Sequence, residues 1–501
     1  MDRLTRLASY LQDKGFIFGP APEIYGGLAG FFDYGPLGKG IKNNVEQAIR
    51  KTFTSQGLFE VECPTILPEE VWVASGHLGN FTDPLIKDEK GNIFRADNLI
   101  EEHCSHNNID ADALRLDSAS NTQLLDYIKQ YGIRSPVDGS ELVPEITYHN
   151  LMMQTTVGVD RVAYNRPETA TTTYLPFMRY MNFFRDKLPN GVFQIGKAYR
   201  NEISPRQFML RMREFTQAEA QFFLFEKDKK EFAPFQKVAD QELPLWSVAA
   251  QDEGSYTPQL ISLQDALEKG LIQHQAYGWS LALAWNLFLA MGIPKEAMRF
   301  RQHHKDELAF YALDAWDIEI NLPTFGWTEM CGVHDRQDYD LTQHAKHSSK
   351  ELYALNPDGK REVPHVLEIA FGVDRPVFAL LDLYYEHKEK EEGKTTFSIP
   401  YPLAPVSVCV LPLTNKLNDQ AYELFTSLQQ EFIALYDKSG SVGKRYLRAD
   451  TIGVPFCVTF DFDSLEDNAV TLRDRDTGEQ ERVGIEFVAQ RIREKLSTLK
   501  E

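Results

Sequence analysis

Guanidinium groups, an aromatic ring and carboxylates alternate along residues 191–223, GVFQIGKAYRNEISPRQFMLRMREFTQAEAQFF. At strand period, Arg200 and Glu202 point the same way out of a first run. After an eight-residue loop containing Pro205, a return run sets Arg211, Arg213, Phe215, Gln217, Glu219 and Gln221 on one face. Met212, Thr216, Ala218, Ala220 and Phe222 make the opposite face, mostly apolar and turned to a core, with Glu214 the exception. Paired as antiparallel strands, the runs bring together what a nucleotide requires. Guanidinium groups neutralise phosphates, Phe215 stacks on a base, and a carboxylate accepts from an exocyclic amine. A salt-bridged hairpin face would alternate in the same way, so the rest of the chain must decide.

A second set supports a phosphate site. In VLEIAFGVDRPVFALL, Val366, Glu368 and Ala370 share a strand face, Gly372 permits a tight turn, and a helix begins near Val373. Arg375 then falls in the first helical turn, beside the positive end of the helix dipole. A cation is unfavourable there unless an anion binds. Pro376 is compatible with a first turn.

These residues need a large scaffold, and 501 residues supply one of two to four domains. A helix is expected through Leu37, Ile41, Val45, Ala48, Ile49 and Phe53, followed by the strand LFEVEC, which Pro64 ends. The Gly/Pro-rich EIYGGLAGFFDYGPLGKG before it reads as turns and loop. Residues 98–145 and 226–275 read as polar or charged insertions, and RFRQHHKDE as a charged helix. The stretch LALAWNLFLAMGI is apolar enough for core. A boundary falls near 386–402, where the charged EHKEKEEGK meets the prolines of SIPYPLAP. Beyond it VSVCVLPL, AYELFTSLQQEFIALY, PFCVTFDFD and VGIEFVAQRIREKL alternate as strand, helix, strand and helix, an α/β domain over 403–501.

Hydrophobic residues at 43% and charged residues at 25% describe an ordinary globular protein. No apolar run is long enough to span a membrane, and MDRLTRLASYLQDKG has no signal-peptide core. The five cysteines show no paired spacing, so a reduced, cytoplasmic protein is expected. A net charge of −20 opposes bulk attraction to nucleic acid and disfavours DNA. Any RNA must be held by local patches such as Lys197, Arg200, Arg206, Arg211 and Arg213.

Arg-x-Glu, a loop and Arg-x-x-x-Phe resemble the second signature of class II aminoacyl-tRNA synthetases. RNEISPR with REFTQAE, the RPETA motif (Arg166–Ala170), IYGGLAGFFDYGPLG and SGH (Ser75–His77) resemble the homodimeric glycyl-tRNA synthetases. Helix, strand and proline at 37–64 resemble the first signature, a dimer interface in that family. VLEIAFGVDRP resembles the third, and LAPVSVCVLPL with GKRYLRADTIGVPFCVTFDFD resembles the family's anticodon-binding domain. The resemblance implies an α+β fold: an antiparallel catalytic sheet flanked by helices over residues 1–395, then an anticodon-binding domain. It implies glycine, ATP with Mg²⁺ and tRNA(Gly) as reactants, and a homodimer.

It also assigns roles. Arg200 meets the α-phosphate and the amino-acid carboxylate, Arg375 the γ-phosphate, and Glu202 with Phe215 holds adenine; Arg211 assists at the triphosphate. Asn201, Leu210, Met212, Met330 and Gly372 complete the ATP site. Glu329 contacts ATP and Mg²⁺. Glu168, Glu219 and Glu368 receive the glycine ammonium, with Arg95 and Ala370 beside them. A zinc site is not expected, because LIKDEKGN precedes FRAD where some relatives carry Cys-x-x-Cys, and HCSH (His103–His106) is too crowded for a tetrahedral set.

Three departures stand out: Ala370 replaces the family's usual serine, RPETA continues as TTTYL, and His149 replaces a phenylalanine. Two alternatives follow: an enzyme of the same type activating another small amino acid, alanine foremost, or a non-catalytic synthetase-like accessory protein. Loss of the nucleotide-binding arginines would mark the latter, yet Arg200, Arg211 and Arg375 are all present.

Overall fold

A computed structural model describes residues 2–497 except 108, 110–113, 115, 117–118, 204, 206, 309–311 and 389–393. Arg206 and the centre of EHKEKEEGK thus lie outside the described residues, as do parts of the 98–145 segment.

Helix α1 (Pro36–Ser55) forms where the spacing of apolar residues requires it, with Pro36 at its start, where a missing N–H costs nothing. Ile41, Val45, Ile49 and Phe53 are fully buried. The strand that follows, β1 (Phe59–Glu60), is shorter than LFEVEC, and it pairs parallel to β2 (Asn190–Tyr199). Strand β3 (Glu214–Leu224) returns antiparallel to β2, with Gly196 opposite Gln217 and Ala198 opposite Phe215. Arg200, Glu202, Arg211 and Arg213 therefore lie in the connection rather than on the strands, because the ladder ends at Tyr199 and Glu214.

The 226–275 segment contributes to the main sheet. Strands β4 (Glu242–Trp246) and β5 (Gln259–Ser262) form one edge of the main sheet. Leu243, Leu245, Ile261 and Leu263 bury at period two, a pattern obscured in sequence by the prolines and charges around them. Helix α2 (Gln275–Ala290) is apolar on nearly every side and buried, as its composition requires. RFRQHHKDE is not helical: it contributes β6 (Met298–Gln302), with Met298 and Phe300 buried. Strands β7 (Asp314–Leu322), β8 (Gly326–Gln337) and β9 (His365–Gly372) follow, and helix α3 (Asp374–Leu383) leaves β9 directly.

The sheet runs β5-β4-β6-β7-β8-β9-β3-β2-β1. It is antiparallel except where β4 meets β6 and β1 meets β2. The α1 and α2 helices pack into the large core beneath it.

Residues 98–145 also hold more structure than their polarity promised. Helices Ala96–Asn107 and Asn121–Gln130 enclose a small core of Leu99, Ile100, Cys104, Leu124 and Ile128 against Ile86 and Phe94. Ser120 and Gln123 cap the second helix reciprocally. Cys104 of HCSH belongs to that core.

The C-terminal unit has a five-stranded sheet whose central strands Val408–Pro412 and Phe456–Phe460 are parallel and wholly buried. AYELFTSLQQEFIALY divides into helix Asn418–Leu428 and strand Ala434–Tyr436, and VGIEF begins as strand rather than helix. Its core is separate, and the switch is abrupt: Leu403 belongs to the larger core and Tyr401 to the smaller. Among the described residues, no helix is long and apolar enough to cross a membrane.

Candidate active site

Three adjacent central strands lay the floor of a cavity of about 450 Å³. Register sets Glu219, Ala370 and Gly332 in one row across β3, β9 and β8. Gln221, Glu368 and His334 form the next row, while Gln217 faces Gly372 on the other side. Side chains two residues apart share a face, so the period-two placement of Gln217, Glu219 and Gln221 is what brings them to one surface.

Carboxylates crowd one end, and their surroundings differ. Glu368 Oε1 accepts from Arg336 Nη1 at 3.0 Å and lies 3.2 Å from His334 Nδ1. Its Oε2 accepts from Tyr174 at 3.0 Å and from Gln221 at 3.4 Å. Burial opposes its charge, but Arg336 and His334 outweigh it and hold Glu368 below the usual carboxylate range. Glu168 accepts from Thr171 Oγ1 at 2.7 Å and lies 3.5 Å from His77, and it too is held low against burial, chiefly by His77. Glu219 is the opposite case. Burial, then Glu368 and Glu168, push it well above the usual range. Gln217 donates to its Oε1, while Oε2 is buried with no hydrogen-bond partner among the described residues. A buried acceptor without a donor, flanked by two ionised carboxylates, is a receptor for a small cation.

Arginines line the other end. Arg200 Nε donates to Pro167 O at 3.2 Å, and its guanidinium lies between the rings of Phe81 and Phe215, at 5.3 and 5.4 Å. Arg375 Nη1 donates to Glu329 Oε1 at 3.1 Å and to Glu329 O at 2.9 Å, and Nε donates to Leu210 O at 3.2 Å. Burial works against the Glu329 charge, yet Arg375 and His303 outweigh it and hold its pKa below the usual carboxylate range. Arg95 faces Asp83 at 3.1 Å and Glu202 at 3.6 Å and is bonded to Asp97. Burial raises Asp83 to about 6 against the pull of Arg95, with Glu202 and Asp97 adding to it.

Every residue assigned from the sequence lines this cavity except Asn201. Asn201 uses its backbone instead: its N–H donates to Leu151 O at 2.8 Å and its carbonyl lies 3.1 Å from His149 Nε2. The alternation that aims Arg200 and Glu202 inward turns Asn201 away. Arg213, grouped with the nucleotide face in sequence, is also diverted. It donates to the carbonyls of Glu202 (2.8 Å), Ala29 (2.9 Å) and Ile203 (3.2 Å). This explains Gly30 of the N-terminal loop: it has φ +79°, and a Cβ there would lie 2.8 Å from Pro205 Cγ and 3.1 Å from Arg213 Cγ. The GGLAG loop thus braces the 200–213 connection.

Several lining residues had no sequence assignment, among them Phe81, Asp83, His303, Asp317, His334, Arg336 and Asp374. Asp374, next to an assigned arginine, ties the start of α3 to α1 and β3: Oδ1 accepts from Lys42 (2.6 Å) and Tyr34 (2.5 Å), and Oδ2 from Thr216 N (2.6 Å). His303 was hidden by the helical reading of its segment. Its Nε2 lies 2.5 Å from Asp317 Oδ2, and although burial opposes the charge, that carboxylate raises the imidazole.

Comparison with known proteins agrees with this layout. The solved prolyl-tRNA synthetase of Cryptosporidium parvum, complexed with L-proline and AMP, aligns with a TM-score of 0.56 at 12% identity, covering 98% of this chain and 74% of that one. A family model for an anticodon binding domain matches residues 407–495. Fold and site together define a class II aminoacyl-tRNA synthetase. The glycine–tRNA ligase of Thermococcus kodakarensis is 39% identical, covering 98% of each chain. That of Methanococcus maripaludis (strain DSM 14266) is 36% identical, covering 99% of this chain and all of the relative. The chain belongs to the glycine–tRNA ligase family.

Proposed function

We propose that the chain joins glycine to the 3′ end of tRNA(Gly) at the expense of ATP. The observation that carries this is the buried carboxylate end of the cavity, where Glu168, Glu219 and Glu368 converge and Glu219 Oε2 has no donor among the described residues. Glycine presents an ammonium with three donors and no side chain, and this end offers acceptors in a confined space.

The glycine carboxylate attacks the α-phosphorus of ATP, the bond to the bridging oxygen breaks, and pyrophosphate leaves. The terminal adenosine 3′-hydroxyl of tRNA then attacks the adenylate carbonyl and releases AMP. No side chain serves as nucleophile; positioning and charge neutralisation carry the rate. Arg200 steadies the α-phosphate and the attacking carboxylate. Arg375 moves from Glu329 to the γ-phosphate, Arg211 assists along the triphosphate, and Phe215 with Glu202 seats adenine. The freed Glu329, a hard oxygen donor at the cavity edge, fits Mg²⁺, which when bound neutralises phosphate charge.

Residues 403–501 read the anticodon. A homodimer, with the catalytic protein in the cytoplasm, completes the reading. Edge strand β1 supports it: Phe59 is 50% and Phe183 63% exposed, their rings 5.2 Å apart. Charging of total tRNA with labelled glycine tests the assignment. ATP-dependent attachment to the 3′ adenosine is expected; no transfer of glycine by folded protein would refute it.

A further inference from the structure

His334 has no place in the roles above, yet it lines the cavity at its carboxylate end, beside Glu368. The middle of the floor there is bare: Ala370 offers a methyl where the family usually has serine, and Gly332 beside it offers a hydrogen. The His334 ring covers this patch at Gly332, the residue paired with Ala370. It folds back along β8 over Gly332 so closely that a Cβ at that glycine would lie 2.5 Å from His334 Cε1 and 2.9 Å from Nε2. Asp317 Oδ1 bounds the same point at 3.5 Å. The ring is fixed from two directions, by Glu368 at 3.2 Å and by an edge contact with His303 at 6.4 Å between centroids.

Resting on the glycine assignment, we propose that His334 is the specificity wall of the amino-acid pocket. Its imidazole fills the space over Gly332 and Ala370 that a substrate β-carbon would require, and Gly332 is small so that the ring can lie there. Exclusion is steric and acts on a single methyl group. Glu368 keeps Arg336, Tyr174 and Gln221 as donors without the histidine, so its removal opens the pocket without stripping the carboxylate.

The test compares glycine- and alanine-dependent ATP–pyrophosphate exchange by the full-length parent, His334→Ala and His334→Asn, with thermal denaturation as the folding check. Asparagine is shorter than the ring but still donates to Glu368, so it opens the same space while preserving a polar partner. Both variants are expected to raise kcat/KM for alanine relative to glycine roughly tenfold or more, the scale of one methyl group. An unchanged ratio accompanied only by a higher glycine KM would overturn the proposal and reduce His334 to a support for Glu368. If His334→Ala does not fold, His334→Asn decides alone. A parent without glycine exchange would instead fail the functional assignment, before any variant is compared.

Discussion

Glu219 and Glu368 stand on neighbouring strands, two residues out of register, and only Glu368 has a donor for each oxygen. Glu219, left with Oε2 unbonded among the described residues, holds its proton more tightly than an ordinary carboxylate. A glycine ammonium would supply the missing donors and release that proton. Below the raised pKa of Glu219 the glycine KM should therefore climb about tenfold per pH unit, because binding must first displace a proton. The sign for stability is the reverse. Folded protein retains a proton that unfolded protein sheds, so stability falls as pH rises from the ordinary carboxylate value through the raised one, and saturating glycine lessens the loss. KM measured across a pH series for parent and Glu219→Gln checks this; a parent profile as flat as the variant's would refute the linkage.

Arg200→Ala and Arg375→Ala should each suppress glycine-dependent exchange by about a hundredfold or more. On the proposed roles, each substitution would remove a charge-assisted phosphate contact worth ~3 kcal/mol in the transition state. Exchange at the parent rate in a folded variant would show that the arginine serves another purpose.

Lys42→Met should destabilise the fold by about 3–5 kcal/mol, since it leaves the buried Asp374 carboxylate without its ammonium partner. Lys42 Nζ also donates to Thr216 Oγ1 at 2.7 Å, so the loss reaches the hairpin as well as the start of α3. Denaturant unfolding measures it, and a change under 1 kcal/mol would mean water replaces the lysine.

A chain shortened to residues 1–405 keeps Leu403 and Ala404 in the larger core and should retain pyrophosphate exchange while charging tRNA poorly. Equal loss of both activities in folded material would mean that the C-terminal unit supports the catalytic cavity directly. Tyr10, whose hydroxyl donates to Thr451 O at 2.7 Å, offers a route for such support.

The catalytic face was legible because strand alternation is a strict geometric rule. Glu219, Glu368 and Ala370 could be aligned on paper from their spacing, and the ladder places them in adjoining rows. The connection between β2 and β3 was legible in composition but not in direction, as Arg213 shows by turning to backbone carbonyls. What escaped were contacts between distant segments. Lys42 meets Asp374 across 332 residues of sequence, and Arg336 reaches Glu368 from a register shift in β8 that no local pattern announces. Residues 242–262 escaped for another reason: short edge strands rich in proline and charge resemble loops until a sheet is present to pair with them.

Adenylation of glycine in this cavity has a direct readout. Amino-acid-dependent ATP–pyrophosphate exchange, run across the common amino acids with purified full-length protein and Mg²⁺, tests it most directly. Rapid exchange with glycine and near-background exchange with alanine and serine is the predicted result. Exchange with alanine as efficient as with glycine, or none with any amino acid, would contradict it.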